Sequence, residues 1–204
     1  MKETFAKHRR IIFDGNGYSD EWEREAERRG LLNLRDSVEA YKCFDLPKNI
    51  ELFAKHGVMS ATEITSRKDI LFENYSKIIN IEALTMIEMA ARDIIPAVSS
   101  YIGNLASGLA AKTAAVPAAS CAVENDIIIK LSELNSKAYA KLGALKSAEA
   151  AAAKIEGAQA SATAYRDTVI PAMAQLRAVV DQMETLTASN YWPLPSYGEM
   201  MFNV

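Results

Sequence analysis

Few residues in this chain have the chemistry to act on a substrate, and they are scattered. Near the start, Gly15-Asn16-Gly17 has the backbone freedom of a phosphate cradle. A cradle wants a lysine or free helix amides facing the anion, whereas Asp14, Asp20 and Glu21 surround this turn, so a structural turn is expected. His8 and His56, the two histidines, stand 48 positions apart with no Cys or acidic partner in ligand spacing, which argues against zinc binding and base catalysis. Glu73, Glu82 and Glu88 fall in a helical pattern where carboxylates can hold metal, but the Glu-x-x-His pair of di-iron bundles is missing. Glu82 is conspicuous inside Ile81-Glu82-Ala83-Leu84, and an Arg or Lys from another helix is its expected partner. Cys43 and Cys121 have no metal or redox spacing and read as free thiols. No residue is assigned a catalytic, cofactor-binding or metal-binding role.

The elements that would position these groups fall into two kinds. Residues 1–60 are short pieces. Lys2 to His8 reads as the end of a helix. Arg10 to Trp22 (RIIFDGNGYSDEW) reads as an extended β-branched and aromatic run, a tight turn whose glycines permit positive φ, and a helix capped by Ser19. Gly30 closes that helix, Asp36 or Ser37 caps a turn through Tyr41, and Pro47 opens another helix ended by His56-Gly57. From Ser60, apolar residues return at three- and four-residue steps: Ile64, Leu71, Tyr75, Ile78, Ile79, Leu84, Ile87, Ala91, Ile94, Val98, Ile102, Leu105 and Leu109. That is a helix of about 45 residues, roughly 65 to 70 Å long. A turn is expected at Lys112 to Ser120 with Pro117.

A second pattern runs from Ile127 to Ile155 and a third from Ala158 to Leu186, separated by Gly157. The fold class is therefore mainly α: an antiparallel assembly of three long helices over about 62–188, with an irregular N-terminal segment of small helices and one extended piece. Domains are expected at 1–60, 61–190 and a Pro/aromatic tail at 191–204 that packs back on the protein. Pro96 (RDIIPAV) and Pro171 (RDTVIPAM) should kink their helices. The two phrases look alike but are out of register by one residue, which favours a convergent kink over a repeat.

Composition sets the outer limits. Half of the 204 residues are hydrophobic and the net charge is −3, so a buried core is feasible and a nucleic-acid face is not indicated. Lys7 to Arg10 is the densest basic cluster. No signal peptide and no uninterrupted apolar span are read, so a cytoplasmic setting without membrane or nucleic-acid partners is expected.

The wording of several segments carries more than their chemistry does. RIIFDGNGYSDEW, AERRGLLNLR (Ala26 to Arg35), LFAKHGV (Leu52 to Val58) and LFENYSKIINIEALTMIEMAARDIIPAV (Leu71 to Val98) closely resemble type III glutamine synthetases, the large bacterial form of that enzyme. So do YRDTVIPAMAQLR (Tyr165 to Arg177) and YWPLPSYGEMMF (Tyr191 to Phe202), in the family's order. Ala106 to Ala164 is not diagnostic, Asp14 stands where the family usually carries asparagine, and Tyr41 to Phe44 lacks its usual Leu-Pro-Ala text.

The resemblance implies an end of the catalytic domain followed by a helical extension. It implies a parent enzyme that ligates ammonia to glutamate with ATP, using magnesium or manganese, in stacked hexameric rings. The family's metal-binding glutamates and phosphate-binding arginines lie upstream, and none maps onto this sequence. This segment is expected to be structural and subunit-contacting, its partners being the rest of the catalytic domain and neighbouring subunits, with no cofactor of its own. A stand-alone helical adaptor, or a fragment that itself binds nucleotide or a regulator, are the alternatives.

Overall fold

The computed structural model describes residues 1–202; the last two residues of the expected tail, Asn203 and Val204, lie outside it. Among the described residues the chain is all-helical, without strands. Helix α1 (Lys2–Lys7) leads into a 3-10 turn at Arg9–Ile11. Helices α2 (Asp20–Arg28), α3 (Ser37–Lys42) and α4 (Pro47–Lys55) follow. Three long helices come next: α5 (Ala61–Ala115), α6 (Ala122–Ala152) and α7 (158–186), before a short terminal helix α8 (Tyr197–Met201).

The boundaries have local causes. Ser60 opens α5 with a full capping box: its hydroxyl accepts from the Glu63 amide at 3.3 Å while the Glu63 carboxylate accepts from the Ser60 amide at 2.7 Å. Gly30 (φ +75°) and Gly57 (φ +63°) leave α2 and α4 in the left-handed region that favours glycine. Gly157, at φ +90°, breaks the chain between α6 and α7. At 55 residues α5 is about 82 Å long, longer than the apolar pattern suggested, because it runs on through alanines to Ala115.

Two expectations for the N-terminal piece are corrected. Ile11, Ile12 and Phe13 are not extended throughout: Ile11 ends the 3-10 turn, and Ile12 after it is extended. The carbonyls of Arg10 and Ile12 are nonetheless satisfied, since the Arg29 guanidinium donates to both, at 2.8 and 3.1 Å. Ser19 stands at the N-cap position of α2, but its hydroxyl donates backward to the Asn16 carbonyl at 2.8 Å and caps no amide.

The core lies where the long helices meet. Ala83, Ala90, Ile94 and Val98 from α5 join Leu131, Ala138, Leu142, Leu145 and Ala152 from α6. Tyr165, Val169, Leu176 and Met183 of α7 complete this cluster. The α5 stripe is shifted from the one the sequence suggested: Ile78 and Leu84 are 55% and 46% exposed, while Phe72 and Ala83 are buried. A smaller cluster of Val38, Phe72 and Ala162 seats α3 on the bundle. At the start of the tail the Tyr191 ring centroid lies 5.1 Å from that of Tyr101, and Trp192 and Leu194 rest on the core.

Pro96 and Pro171, where kinks were expected, share one local feature. Each follows a π-helical turn, at Ala90–Ile94 and Tyr165–Val169. Against the expectation of no span, α5 contains an 18-residue window long and apolar enough to cross a membrane by length and composition, with mean hydropathy 1.3 and 11% of it buried. Towards its C-terminal end α5 interleaves small residues (Gly103, Ala106, Ser107, Gly108, Ala110 and Ala111) with Ile102, Leu105 and Leu109.

Candidate functional site

The Gly15-Asn16-Gly17 turn is a structural feature. The Asn16 side chain accepts from the Tyr18 amide at 3.0 Å, and Asp14 pairs with Arg9 at 3.1 Å. Neither Gly15 nor Gly17 has positive φ. Gly15 is needed for room: a Cβ there would come within 2.5 Å of the Phe13 ring. That ring packs against Trp22 at a 40° tilt with centroids 4.6 Å apart, and the Arg29 guanidinium lies about 6 Å from both rings. Glu25 receives Arg28 and Arg29 together, and their bonds hold its carboxyl down at about 2.

The other sequence candidates stay dispersed. Among the described residues no group of three His, Cys, Asp or Glu side chains has a metal-binding arrangement. His8 and His56 are exposed. Glu73 pairs with Lys77 at 3.5 Å and Glu88 with Arg92 at 2.9 Å, each along its own helix. Cys43 and Cys121 are free and half-buried. The expected Arg or Lys partner of Glu82 is not there: Glu82 is exposed and in no ion pair among the described residues.

Two arrangements that the sequence reading missed organise the molecule instead. The first is the junction at Arg166. Its guanidinium reaches Glu39 at 2.7 Å and Asp36 at 3.3 Å on the α3 side, and its own neighbour Asp167 at 2.7 Å. Asp36 also caps α3 by accepting from the Glu39 amide at 2.9 Å. That capping bond first, then Arg166, holds the Asp36 carboxyl below its usual range. Glu39 is held low by Lys42 and then Arg166, and Asp167 by Arg166. Desolvation of Tyr75 beside this network pushes its phenol up. One cation thus ties α3 to α7 across 127 positions of sequence. Lys68 and Asp45 make a similar tie between α5 and the segment before α4.

The second is a groove of about 590 Å³ between α5, α7 and the tail. Ile81, Met86 and Met89 line it from α5, Met173 and Val180 from α7, and Leu194 from the tail. Glu82, Arg177, Asp181 and Glu184 stand at its rim. Arg177 lies 3.5 Å from Asp181, which leaves Glu82 and Glu184 as the carboxylates without a cation among the described residues.

The described residues are thus all-helical, with methionines lining an open groove and ion pairs that join separate elements. The sequence model of the glutamine synthetase C-terminal domain matches residues 1–113, more than half of the chain, and the chain belongs to that family. It is 36% identical to a glutamine synthetase of Butyrivibrio fibrisolvens over all of its own length and 29% of the relative's. A type-3 glutamine synthetase of Dictyostelium discoideum is 30% identical over 99% of this chain, and a glutamine synthetase of Bacteroides fragilis 27% identical over 99%, each match taking 28% of the relative. The chain thus spans less than a third of the length of these relatives.

Proposed function

We propose that this chain serves as the C-terminal architectural part of a type III glutamine synthetase, whose other parts carry the ligation of ammonia to glutamate. In this reading residues 1–60 are the distal end of the catalytic domain. Residues 61–190 are an antiparallel assembly of three long helices that meets neighbouring subunits of a ring, and 191–204 is the tail that closes it. The antiparallel order is supported by the ties between α5 and α6, Lys112 to Glu124 at 2.7 Å and Asn135 to Ser99 at 2.8 Å, whose numbers run in opposite directions. ATP and magnesium or manganese belong, in this reading, to the parent enzyme and not to this segment. The setting is cytoplasmic, without membrane or nucleic acid.

The observation that carries the reading is the match of the whole chain to 29% of a glutamine synthetase. The Arg166 junction fits it, since it anchors the N-terminal pieces to the helices they must hold. The test is to assay the purified chain alone, then with the remaining portion of a type III synthetase supplied separately. No synthetase or γ-glutamyl transferase turnover is expected from the chain alone, together with stable binding to the other portion. Turnover by the chain alone, free of host enzyme, would refute the assignment of chemistry elsewhere.

A further inference from the structure

Helix α5 carries a stripe of exposed residues along its middle: Glu73, Lys77, Ile81, Leu84, Glu88 and Arg92. They recur at steps of four, four, three, four and four, which places them on one side of the helix. That side is turned away from Phe72, Ser76, Ala83 and Ala90, the buried residues of the same stretch. Glu73 bonds to Lys77 and Glu88 to Arg92, so the charges at each end share this face. Between them stand two aliphatic side chains open to solvent, Ile81 at 64% and Leu84 at 46%.

The order of types along the stripe is acid, base, aliphatic, aliphatic, acid, base, and the spacing reads the same in both directions. A second copy of α5, laid antiparallel about the midpoint between Glu82 and Ala83, therefore meets a complement at every position. Glu73 comes opposite Arg92 of the second copy, Lys77 opposite its Glu88, and Ile81 opposite its Leu84. The same three pairings recur beyond the two-fold axis. A parallel, in-register pairing would instead set each charge against its own kind, which is unfavourable. Bonds along one helix account for Glu73–Lys77 and Glu88–Arg92 separately, but not for the exposed aliphatic centre between them. An apolar centre flanked by complementary charges is the layout of a helix–helix seam.

We infer that α5 of one chain pairs antiparallel with α5 of a second copy through this stripe. This rests on the reading of the long helices as subunit-contacting and names the surface used. The contact is isologous and closes on itself, leaving no edge to propagate. From Glu73 to Arg92 the stripe is about 28 Å long, and one helix diameter in width gives on the order of 400 Å² per copy. That is about half of a standard interface, so the isolated chain forms a reversible dimer with a dissociation constant on the order of 10 to 100 μM.

Sedimentation equilibrium of the 204-residue chain, at concentrations up to about tenfold above that constant, is the test. It is run with Lys77→Glu, Glu88→Lys and the double variant Lys77→Glu/Glu88→Lys. Both positions are exposed, and circular dichroism checks that each variant keeps its helices. The unaltered chain is expected to dimerise, and each single variant to do so at least about tenfold more weakly, because like charges then meet twice across the axis. An equimolar mixture of the two single variants should recover a heterodimer, and the double variant should recover a homodimer, since both arrangements restore opposite charges. A dimer indifferent to the single reversals, or a mixture and double variant that recover nothing, overturns the pairing. So does a chain that stays monomeric throughout this range. If that monomer still binds the remaining portion of a type III synthetase, the reading of its function stands and only this pairing falls. Reversals that weaken binding to that portion, with no effect on self-association, assign the stripe to it and equally overturn the pairing.

Discussion

Replacing Leu131 by alanine separates the packing seam seen in the structure from the broader one suggested by periodicity. Leu131 is fully buried on α6, while Leu134, one turn further on, is only half-buried at the edge of the same core. Leu131→Ala removes three carbons, worth about 2 to 2.5 kcal/mol of lost transfer free energy at ~0.8 kcal/mol per methylene. A partly relaxed void of some 50 Å³ adds roughly 1 kcal/mol at about 24 cal/mol per Å³. The sum is about 3 to 4 kcal/mol, or a fall in melting temperature of about 6 to 15 °C for a chain of this size. Leu134→Ala loses about half as much burial and should cost about 1 to 2 kcal/mol. Thermal and urea unfolding followed by circular dichroism measure both. A Leu134→Ala cost equal to or above that of Leu131→Ala would show that α6 is rotated from the orientation described here.

Arg166→Ala should raise amide hydrogen exchange across α3 while leaving α6 unchanged. Because Asp36, Glu39 and Asp167 have lowered folded-state pKa values, their contribution is present above the usual carboxylate range and lost as pH falls through the lowered values. Protection of α3 in the unaltered chain should therefore drop on acidification, and the variant should show less of that drop; equal acid sensitivity in both refutes the junction. Ser60→Ala removes the capping hydroxyl of α5 and should cost about 1 kcal/mol, read as a shift in the urea midpoint, with no shift counting against the capping box. Gly157→Ala forces a side chain into φ +90° and should destabilise the chain by about 1 to 2 kcal/mol; a neutral result in the same titration would place the break elsewhere.

Much of the helical layout is legible in the sequence because its punctuation is local. Pro47, Ser60, Gly30, Gly57 and Gly157 act through φ and capping within a few residues, and each stands at the boundary it predicts. Burial on α5 is harder to read, since Ile78 and Leu84 satisfy the period as well as Phe72 and Ala83 do. Which residues turn inward depends on a partner helix far away in sequence. The Arg166 junction was illegible for the same reason: nothing in Arg166-Asp167 points to Asp36 and Glu39. Ile11 to Phe13 misled because β-branched residues report a preference for extension, while a strand needs a neighbour to bond with, and Arg29 took that place.

The two proline sites show where local and distant constraints meet. Proline lacks an amide hydrogen, and its ring strikes the carbonyl four residues back. In both helices the ladder opens just before it: Ile95 bonds to Ala90 and Ile170 to Tyr165, five residues apart. The widened turn takes up one extra residue, so Ala90, Ile94 and Val98 all face the core at four-residue steps, as do Tyr165 and Val169. Aligned on proline, Ala90 matches Tyr165 and Ile94 matches Val169, and the shared Ile-Pro-Ala follows in each. The Arg-Asp pairs are what fall out of register, and their roles differ: Arg92 pairs with Glu88 on its own helix, whereas Arg166 bridges to α3. The part of the two phrases that coincides is the part the π turn requires, and the part that does not is free to serve its own surroundings.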